Sequence, residues 1–195
     1  MIVIKVGRSF FLTGRPGIGK TTVLLKIVKI IEEEGLKVGG IISREVRKGG
    51  SRIGFKLIDL NSGREGWLAH VKQPEGPRVG KYRVCMEDLE SIGVEAILNA
   101  VEEADIIVID EVGPMEMFSE RFKKAVAKAL NSEKIVLGTV HYRIKDSFAA
   151  KVKAKGEVKV IEVTIGNREA LSENVVHKIL ENLCEHAAYE RQSIS

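Results

Sequence analysis

The chain has 195 residues, of which 44% are hydrophobic and 30% are charged, and its formal net charge is +4 with a pI of about 9.0. This length suits one domain with a core of several packed elements, and the composition excludes a disordered chain. Lysine and arginine alternate with glutamate along the sequence, so the excess positive charge favours a mixed-charge surface over a dedicated nucleic-acid interface.

Short β-branched runs alternate with longer amphipathic segments, which is typical of an α/β protein with a mostly parallel sheet. Between 51 and 71 the period changes to strand-like alternation and predicts two strands joined by a turn. In chain order we predict a strand at 9–13, a helix at 20–35, a strand at 37–43, the two strands of 51–71, a strand at 81–84, a helix near 93–104, a strand at 105–110, a helix near 119–130, a strand at 134–140, a basic helical segment at 144–155, a strand at 157–164 and a helix at 170–188.

These elements predict a single domain over residues 1–188, with a β-hairpin insertion at about 51–84 and a frayed tail at 189–195. The two cysteines are far apart and the four histidines form no ligand cluster, so we expect buried or free thiols in a reducing compartment. The amino terminus lacks a signal-peptide layout and no apolar run reaches membrane-spanning length. We therefore expect a cytoplasmic protein without a membrane partner, and its Lys- and Glu-rich surface is typical of heat-adapted proteins.

The segment between the first strand and the first helix matches the phosphate-binding pattern G-x-x-x-x-G-K-[ST]. Its glycines let backbone amides approach phosphate oxygens, and the helix that follows directs its positive end toward the same anion. We expect Lys20 to reach the β- and γ-phosphates and Thr21 to bind Mg²⁺. The predicted nucleotide-binding residues here are Gly14, Arg15, Pro16, Gly17, Ile18, Gly19, Lys20, Thr21 and Thr22.

An acidic pair follows the apolar strand at 105–110. Asp110 lies at the carboxyl end of this strand, where open α/β sheets bind their ligands. We expect Asp110 to hold the Mg²⁺ shell together with Thr21, and Glu111 to orient or deprotonate a water aimed at the γ-phosphorus. Such a pair alone also fits a solvated strand end, but downstream of a phosphate loop it indicates catalysis.

The residues Asp110-Glu111-Val112-Gly113 also match the D-x-x-G element of switch GTPases. Those proteins additionally carry an N-K-x-D segment that recognises guanine, and this sequence has none. The pair therefore fits better the class that keeps a catalytic glutamate beside its metal-binding aspartate. Gly113 is a further candidate nucleotide-binding residue. We do not expect selectivity for guanine.

The segments FFLTGRPGIGKTT, GGIISREVRKGGSRIGFKLIDLNSGREGWLA, IDEVGPMEMFS and GNREAL resemble the small nucleoside-triphosphatases of thermophilic archaea and bacteria called the THEP family. The resemblance spans about residues 9–180. It implies a RecA-like P-loop NTPase fold: a three-layer sandwich with a mostly parallel central sheet and an inserted β-hairpin. It also implies slow, Mg²⁺-dependent hydrolysis of ATP, GTP and other nucleoside triphosphates, with loose base preference. Residues 1–8 exceed the family's usual length and are either a mis-assigned start or an extra edge strand.

Charge stabilisation at the γ-phosphate requires further groups near the end of the strand at 134–140. Thr139 or His141 is a candidate sensor of the γ-phosphate, and Arg143 is a candidate arginine finger or part of a basic helix face. Arg168 is a candidate for stacking on the base, because a guanidinium on a π-face is indifferent to base identity.

The hairpin region has two interpretations, a flap over the nucleotide or a solvated basic hairpin. Trp67, on its second strand, is interpreted as a core residue rather than a platform for the base. The residues that would form the flap are Arg44, Glu45, Arg47, Arg52 and Phe55.

The sequence thus predicts a Mg²⁺-dependent phosphohydrolase of nucleoside triphosphates, most simply a monomer, with Lys20, Glu111 and Arg143 as its catalytic residues. One alternative is a P-loop kinase that transfers the γ-phosphate to a nucleotide, nucleoside or RNA end, with the basic segment from 143 as a lid; the sequence lacks a compact arginine run for such a lid. Another is an RNA- or DNA-binding module with a nucleotide switch, which rests on the pI alone.

Overall fold

The computed structural model describes residues 9–143 and 158–193, and for 186–193 it describes the backbone only. The amino-terminal segment 1–8 and the basic segment predicted as a helix at 144–155 lie outside the described residues. None of the described helices is both long enough and apolar enough to cross a membrane.

Within these residues, nine strands form one sheet in the order β5-β6-β4-β3-β2-β7-β8-β1-β9. The strands β2, β7, β8, β1 and β9 are parallel, whereas β3 to β6 are added to β2 in antiparallel fashion. The strands are β1 Ser9–Thr13, β2 Val38–Lys48, β3 Ser51–Asp59, β4 Glu65–His70, β5 Arg78–Val79, β6 Tyr82–Val84, β7 Ile106–Val112, β8 Ile135–Val140 and β9 Val158–Glu162.

Helices cover both faces of the parallel part of the sheet. Because side chains alternate along a strand, Phe10 packs on one face and Phe11 on the other, and each face has its own buried cluster. The helices are α1 Lys20–Glu33, α2 Met86–Asp88, a π-helical segment Leu89–Val94, α3 Glu95–Glu103, a 3₁₀ turn Glu116–Phe118, α4 Glu120–Asn131 and α5 Arg168–Ser193. α1 and α5 contribute to the cluster of Phe10, and α3 and α4 to that of Phe11. The predicted three-layer α/β sandwich is confirmed.

The antiparallel part is larger than the sequence predicts. The two strands within 51–71 exist as β3 and β4, but β2 extends to Lys48 instead of ending at 43 and pairs with β3 along its outer half. Gly49 and Gly50, with φ of 56° and 75°, form the tight turn between them, which needs left-handed backbone at both positions. The insertion is therefore a meander that begins within β2.

Two predicted helices have different bounds in the structure. The helix predicted near 93–104 begins at Met86, because the apolar positions Leu89 and Ile92 already pack against the core before α3. α5 continues to Ser193. Residues 189–193, predicted as part of a frayed tail, are therefore helical.

Candidate active site

The phosphate loop, residues 14–21, connects the buried end of β1 to the start of α1. A Cβ atom on Gly14 would lie 2.8 Å from the carbonyl oxygen of Val163, just past β9, so glycine is required for this close approach. Gly19 precedes the helix with φ of 105°, and α1 has neither a side-chain cap nor an acidic residue in its first turn. The first amides of α1 are thus left for an anion.

Asp110, at the end of β7, is the centre of a buried hydrogen-bond network. Its side chain is 1% exposed and accepts hydrogen bonds from the Thr21 hydroxyl (3.0 Å) and the Thr139 hydroxyl (2.5 Å). Burial raises the pKa of Asp110, while these hydroxyl bonds and the positive charge of Lys20 oppose the shift. The network joins the phosphate loop, β7 and β8 at one point, as expected for Thr21 and Asp110.

Glu111 follows Asp110 directly and differs from it in having no such support. Among the described residues, its buried Oε1 atom has no hydrogen-bond partner. Burial raises the pKa of Glu111 to about 7; the charge of Asp110 adds to this shift and that of Lys20 opposes it. A carboxylate that titrates near neutral pH is suited to general-base chemistry.

Glu116 is a buried acid that the sequence analysis missed. It is 4% exposed, and burial, aided by the charges of Glu111 and Asp110, raises the pKa of Glu116 to about 8. Its carboxylate accepts from the backbone amide of Gly113. A Cβ on Gly113 would lie 2.9 Å from Glu116 Oε2, so this glycine makes room for the acid. The segment DEVGPMEMF contains the signal, because an acid embedded among apolar residues after a strand is exceptional.

His141 and Arg143 follow β8 beside these acids. The backbone amide of His141 donates to the Val112 carbonyl (3.0 Å), and its Nδ1 accepts from the backbone amide of Arg143 (3.2 Å). Burial, together with the charges of Lys20 and Arg143, lowers the pKa of His141. Because Nδ1 accepts this hydrogen bond, the neutral imidazole carries its proton on Nε2. Thr139, the other predicted sensor, is instead fully buried against Asp110.

Arg168 begins α5 at the same edge of the sheet. The loop before it is held by Asn167, whose side chain accepts from the Thr164 amide (2.8 Å) and donates to the Glu162 carbonyl (2.8 Å). The Val163 amide donates to the Thr13 carbonyl (2.7 Å), which places this loop next to the phosphate loop. Arg168 contacts its neighbour Glu169 at 3.4 Å across an exposed surface.

The hairpin residues do not behave as one group. Glu45 contacts both Arg47 and Arg52, and Arg44 pairs with Glu65 at 3.1 Å, so these charges neutralise one another on the surface of the meander. Trp67 is half-buried and packs on the His70 ring, with the two ring centroids 4.5 Å apart. It was predicted to be a core residue, but it is not among the buried core residues.

Phe55 differs from the other hairpin residues because it lines a cavity of about 170 Å³ that reaches Glu111 and Glu116. Residues from the meander, from the segment after β7 and from the end of β8 enclose this cavity. They are Ser43, Phe55, Leu68, Val79, Glu111, Gly113, Pro114, Met115, Glu116 and His141.

The donor set at Asp110 suits a divalent cation that also binds phosphate. Groups of three or more His, Cys, Asp or Glu side chains able to enclose a metal do not occur in the part of the chain that the structure describes. One carboxylate and one hydroxyl, from Asp110 and Thr21, are nevertheless sufficient for a cation whose other ligands are phosphate oxygens and water.

Comparisons with known proteins agree with this geometry. A family model described as NTPase matches residues 9–176. Nucleoside-triphosphatase THEP1 of Thermofilum pendens is 51% identical over 173 residues, covering 88% of this chain and 95% of that protein. The THEP1 of Methanocaldococcus jannaschii is 46% identical over 173 residues, covering 89% and 98%.

Two solved structures resemble the fold closely. THEP1 from the hyperthermophile Aquifex aeolicus has a TM-score of 0.75 and 27% identity, covering 88% of this chain and 98% of its own. A human cancer-related nucleoside triphosphatase has a TM-score of 0.74 and 36% identity, covering 88% and 97%.

Proposed function

The chain belongs to the NTPase family, and from that premise we propose that it is a Mg²⁺-dependent phosphohydrolase that converts ATP, GTP and other nucleoside triphosphates to diphosphates and phosphate. The observation that carries the proposal is the contact between Thr21 and Asp110 beside the unpartnered carboxylate of Glu111. It brings a phosphate loop, a metal-binding pair and a candidate base to one edge of the sheet.

Thr21 and Asp110 would hold Mg²⁺, because both offer oxygen ligands and the buried Asp110 carboxylate lies beside the phosphate loop, where it contacts the Thr21 hydroxyl. The ion would neutralise charge that develops on the phosphate oxygens. Thr139 keeps the Asp110 carboxylate in its orientation through the second oxygen.

Glu111 is the residue that we assign to the attacking water. Its buried Oε1 atom has an unused acceptor, and the water that donates to it loses its proton to Glu111 as it attacks the γ-phosphorus. The bond between the γ-phosphorus and the β–γ bridging oxygen breaks, and the diphosphate leaves. Lys20 balances the negative charge on the transferred group, and Arg143 is assigned the same role from the end of β8.

Broad base specificity is supported by the chemistry of the loop at Arg168. A guanidinium stacks on any base, and the sequence has no guanine-recognition segment. The backbone amides of the phosphate loop bind the part that all nucleoside triphosphates share. A cytoplasmic location and a monomeric state remain predictions from the sequence.

Phosphate release from ATP, GTP, CTP and UTP, with Mg²⁺ and with chelator, tests the proposal. Glu111→Gln is expected to lower turnover by about 10²–10⁴-fold, because the amide cannot accept the proton, while nucleotide binding measured by calorimetry persists. Glu120→Gln, on the exposed face of α4, is the matched control and should keep wild-type turnover. Unchanged turnover in Glu111→Gln would show that the base is assigned wrongly.

A further inference from the structure

The cavity beside Glu111 is larger than one attacking water requires. Its volume of about 170 Å³ greatly exceeds the ~10–15 Å³ that one water occupies by the same measure. The polar end of this space serves the γ-phosphate and the attacking water of the proposed reaction. Hydrolysis gives no role to the apolar remainder of the lining, formed by residues such as Phe55 and Val79.

The walls of the cavity have two kinds of surface. Apolar side chains form most of the lining, including Phe55 and Val79 from the meander and Met115 from the segment after β7. The polar groups are the carboxyl groups of Glu111 and Glu116, the imidazole of His141 and the Ser43 side chain. Such walls suit a small molecule with an apolar body and one group that forms hydrogen bonds.

The charges of the lining residues further limit which molecules can bind in the cavity. Among the described residues that line the cavity there is no lysine or arginine, whereas two are glutamates. A phosphorylated or carboxylated ligand would find no cation among these lining residues, and it would depend on Lys20 and Arg143, which the proposed reaction already assigns to the γ-phosphate. An uncharged hydroxyl compound needs no cation, because its O–H donates to a carboxylate.

The cavity and the reaction share one residue, Glu111. It lines the cavity, it adjoins Asp110, and its Oε1 atom lacks a partner within the described part of the chain. A hydroxyl group bound in the cavity and donating to Glu111 would take the position assigned above to the attacking water.

We propose that this cavity binds a small uncharged alcohol whose hydroxyl oxygen accepts the γ-phosphate in place of water. The inference rests on the proposed function, since it uses the same nucleotide and the same base. The alcohol oxygen bonds to the γ-phosphorus, its proton passes to Glu111, and the bond to the β–γ bridging oxygen breaks. The products are a phosphate monoester and a nucleoside diphosphate.

This acceptor class differs from the phosphorylated nucleotides that many small kinases use. A nucleoside monophosphate needs cations around its phosphate, and the described residues that line this cavity supply carboxyl groups instead. Within the described part of the chain, the cavity therefore favours an acceptor without charge.

The experiment follows γ-³²P from ATP in the presence of Mg²⁺ and separates labelled monoester from inorganic phosphate. The probes are benzyl alcohol and 3-methylbutan-1-ol; toluene serves as a probe without a hydroxyl, and AMP as an anionic acceptor. An alcohol that only competes in bulk gives ester in proportion to its molar share of the solvent. A bound alcohol gives a saturable excess of about 100-fold or more over that share, because it is held at the reacting centre.

Two variants locate the acceptor. Val79→Phe narrows the cavity from a half-buried position on the edge strand β5, and it should lower the ester-to-phosphate ratio by about tenfold or more. Val46→Phe, a half-buried position on β2 outside the cavity, is the matched control and should leave that ratio unchanged. Toluene should lower ester formation competitively.

If ester forms only in proportion to the molar fraction of alcohol in the solvent while phosphate release is unchanged, the inference is wrong and the proposed hydrolysis is unaffected. Transfer to AMP in place of the alcohols, or equal ratios in both variants, would overturn the inference as well. Absence of both ester and phosphate from ATP with Mg²⁺ would contradict the proposed hydrolysis itself.

Discussion

The two sides of the active site differ in how their polar groups are satisfied. On the phosphate side, Thr21 and Thr139 both donate to Asp110, so this buried acid is fully supported. On the cavity side, Glu111 lacks a partner for Oε1 within the described residues, and the buried Glu116 accepts from the backbone amide of Gly113. Supported groups hold a fixed geometry, whereas an unpartnered carboxylate oxygen such as that of Glu111 can accept a proton. The proposed reaction therefore assigns phosphate and metal binding to the phosphate side and proton transfer to Glu111 on the cavity side.

The largest effect is expected on the phosphate side. Lys20→Met should lower phosphate release by about 10³-fold, because the transferred group loses its cation, and it should weaken nucleotide binding too. Lys26→Met, an exposed position on the same helix, is the control and should change neither quantity. Steady-state kinetics with ATP and calorimetry measure both. Similar losses in both variants would mean that the phosphate loop is not the binding site.

The next prediction concerns the cavity side, where the buried Glu116 makes the stability of the protein depend on pH. Burial raises the pKa of Glu116 to about 8, so the folded protein keeps it protonated up to about that pH, whereas the unfolded chain releases this proton near pH 4.5, the ordinary pKa of a glutamate. The unfolded state therefore binds fewer protons between these values, so the contribution of Glu116 to stability falls as pH rises and becomes constant above pH 8. Glu116→Gln should match wild type at pH 5 and be more stable at pH 9, by up to about 4 kcal/mol.

Chemical denaturation at the two pH values measures this difference. Glu120→Gln, whose side chain is exposed, should show no gain at pH 9. A Glu116→Gln variant that loses stability equally at both pH values would mean that the carboxylate is needed in its charged form.

A smaller effect is expected for the support of Asp110. Thr139→Val keeps the shape of the side chain but removes the hydrogen bond at 2.5 Å, which should cost about 1–3 kcal/mol of stability or of metal binding. Thr139→Ser retains the hydroxyl and should recover most of the loss. Mg²⁺ titration of nucleotide-bound protein and thermal unfolding read out the two contributions. If valine and serine behave alike, the hydroxyl does not orient Asp110.

The smallest effect is expected for contacts with the nucleobase. Arg168→Ala should raise KM by about 3–10-fold for ATP, GTP, CTP and UTP alike, with kcat nearly unchanged, because stacking contributes binding without base recognition. Arg121→Ala, which removes an exposed ion pair between α3 and α4, is the control. If KM rises for one nucleotide only, Arg168 recognises that base and the proposed broad specificity is wrong.

The sequence was most informative where local chemistry alone determines the structure. The glycines of the phosphate loop and the acid at the end of an apolar strand predicted the contact between Thr21 and Asp110, because such residues have few alternative uses. The parallel sheet followed from alternating strands and helices in the same way. The family resemblance added the three-layer order.

What the sequence did not predict depends on tertiary contacts. Glu116 becomes important only because the chain folds back and buries it beside Gly113 and Glu111. The role of Thr139 requires β8 to lie next to β7, a neighbour relation that no local pattern encodes. The outer half of β2 was missed because its polar residues have no apolar alternation, and pairing with β3 makes them a strand.

A crystal structure with Mg²⁺ and a nonhydrolysable triphosphate analogue would show the proposed site in its reacting form. We expect the γ-phosphate in the phosphate loop, Mg²⁺ bound by Thr21 and Asp110, and a water donating to the Glu111 carboxylate in line with the γ-phosphorus. A triphosphate bound elsewhere, or a Glu111 side chain turned away from the γ-phosphorus, would contradict the proposed reaction.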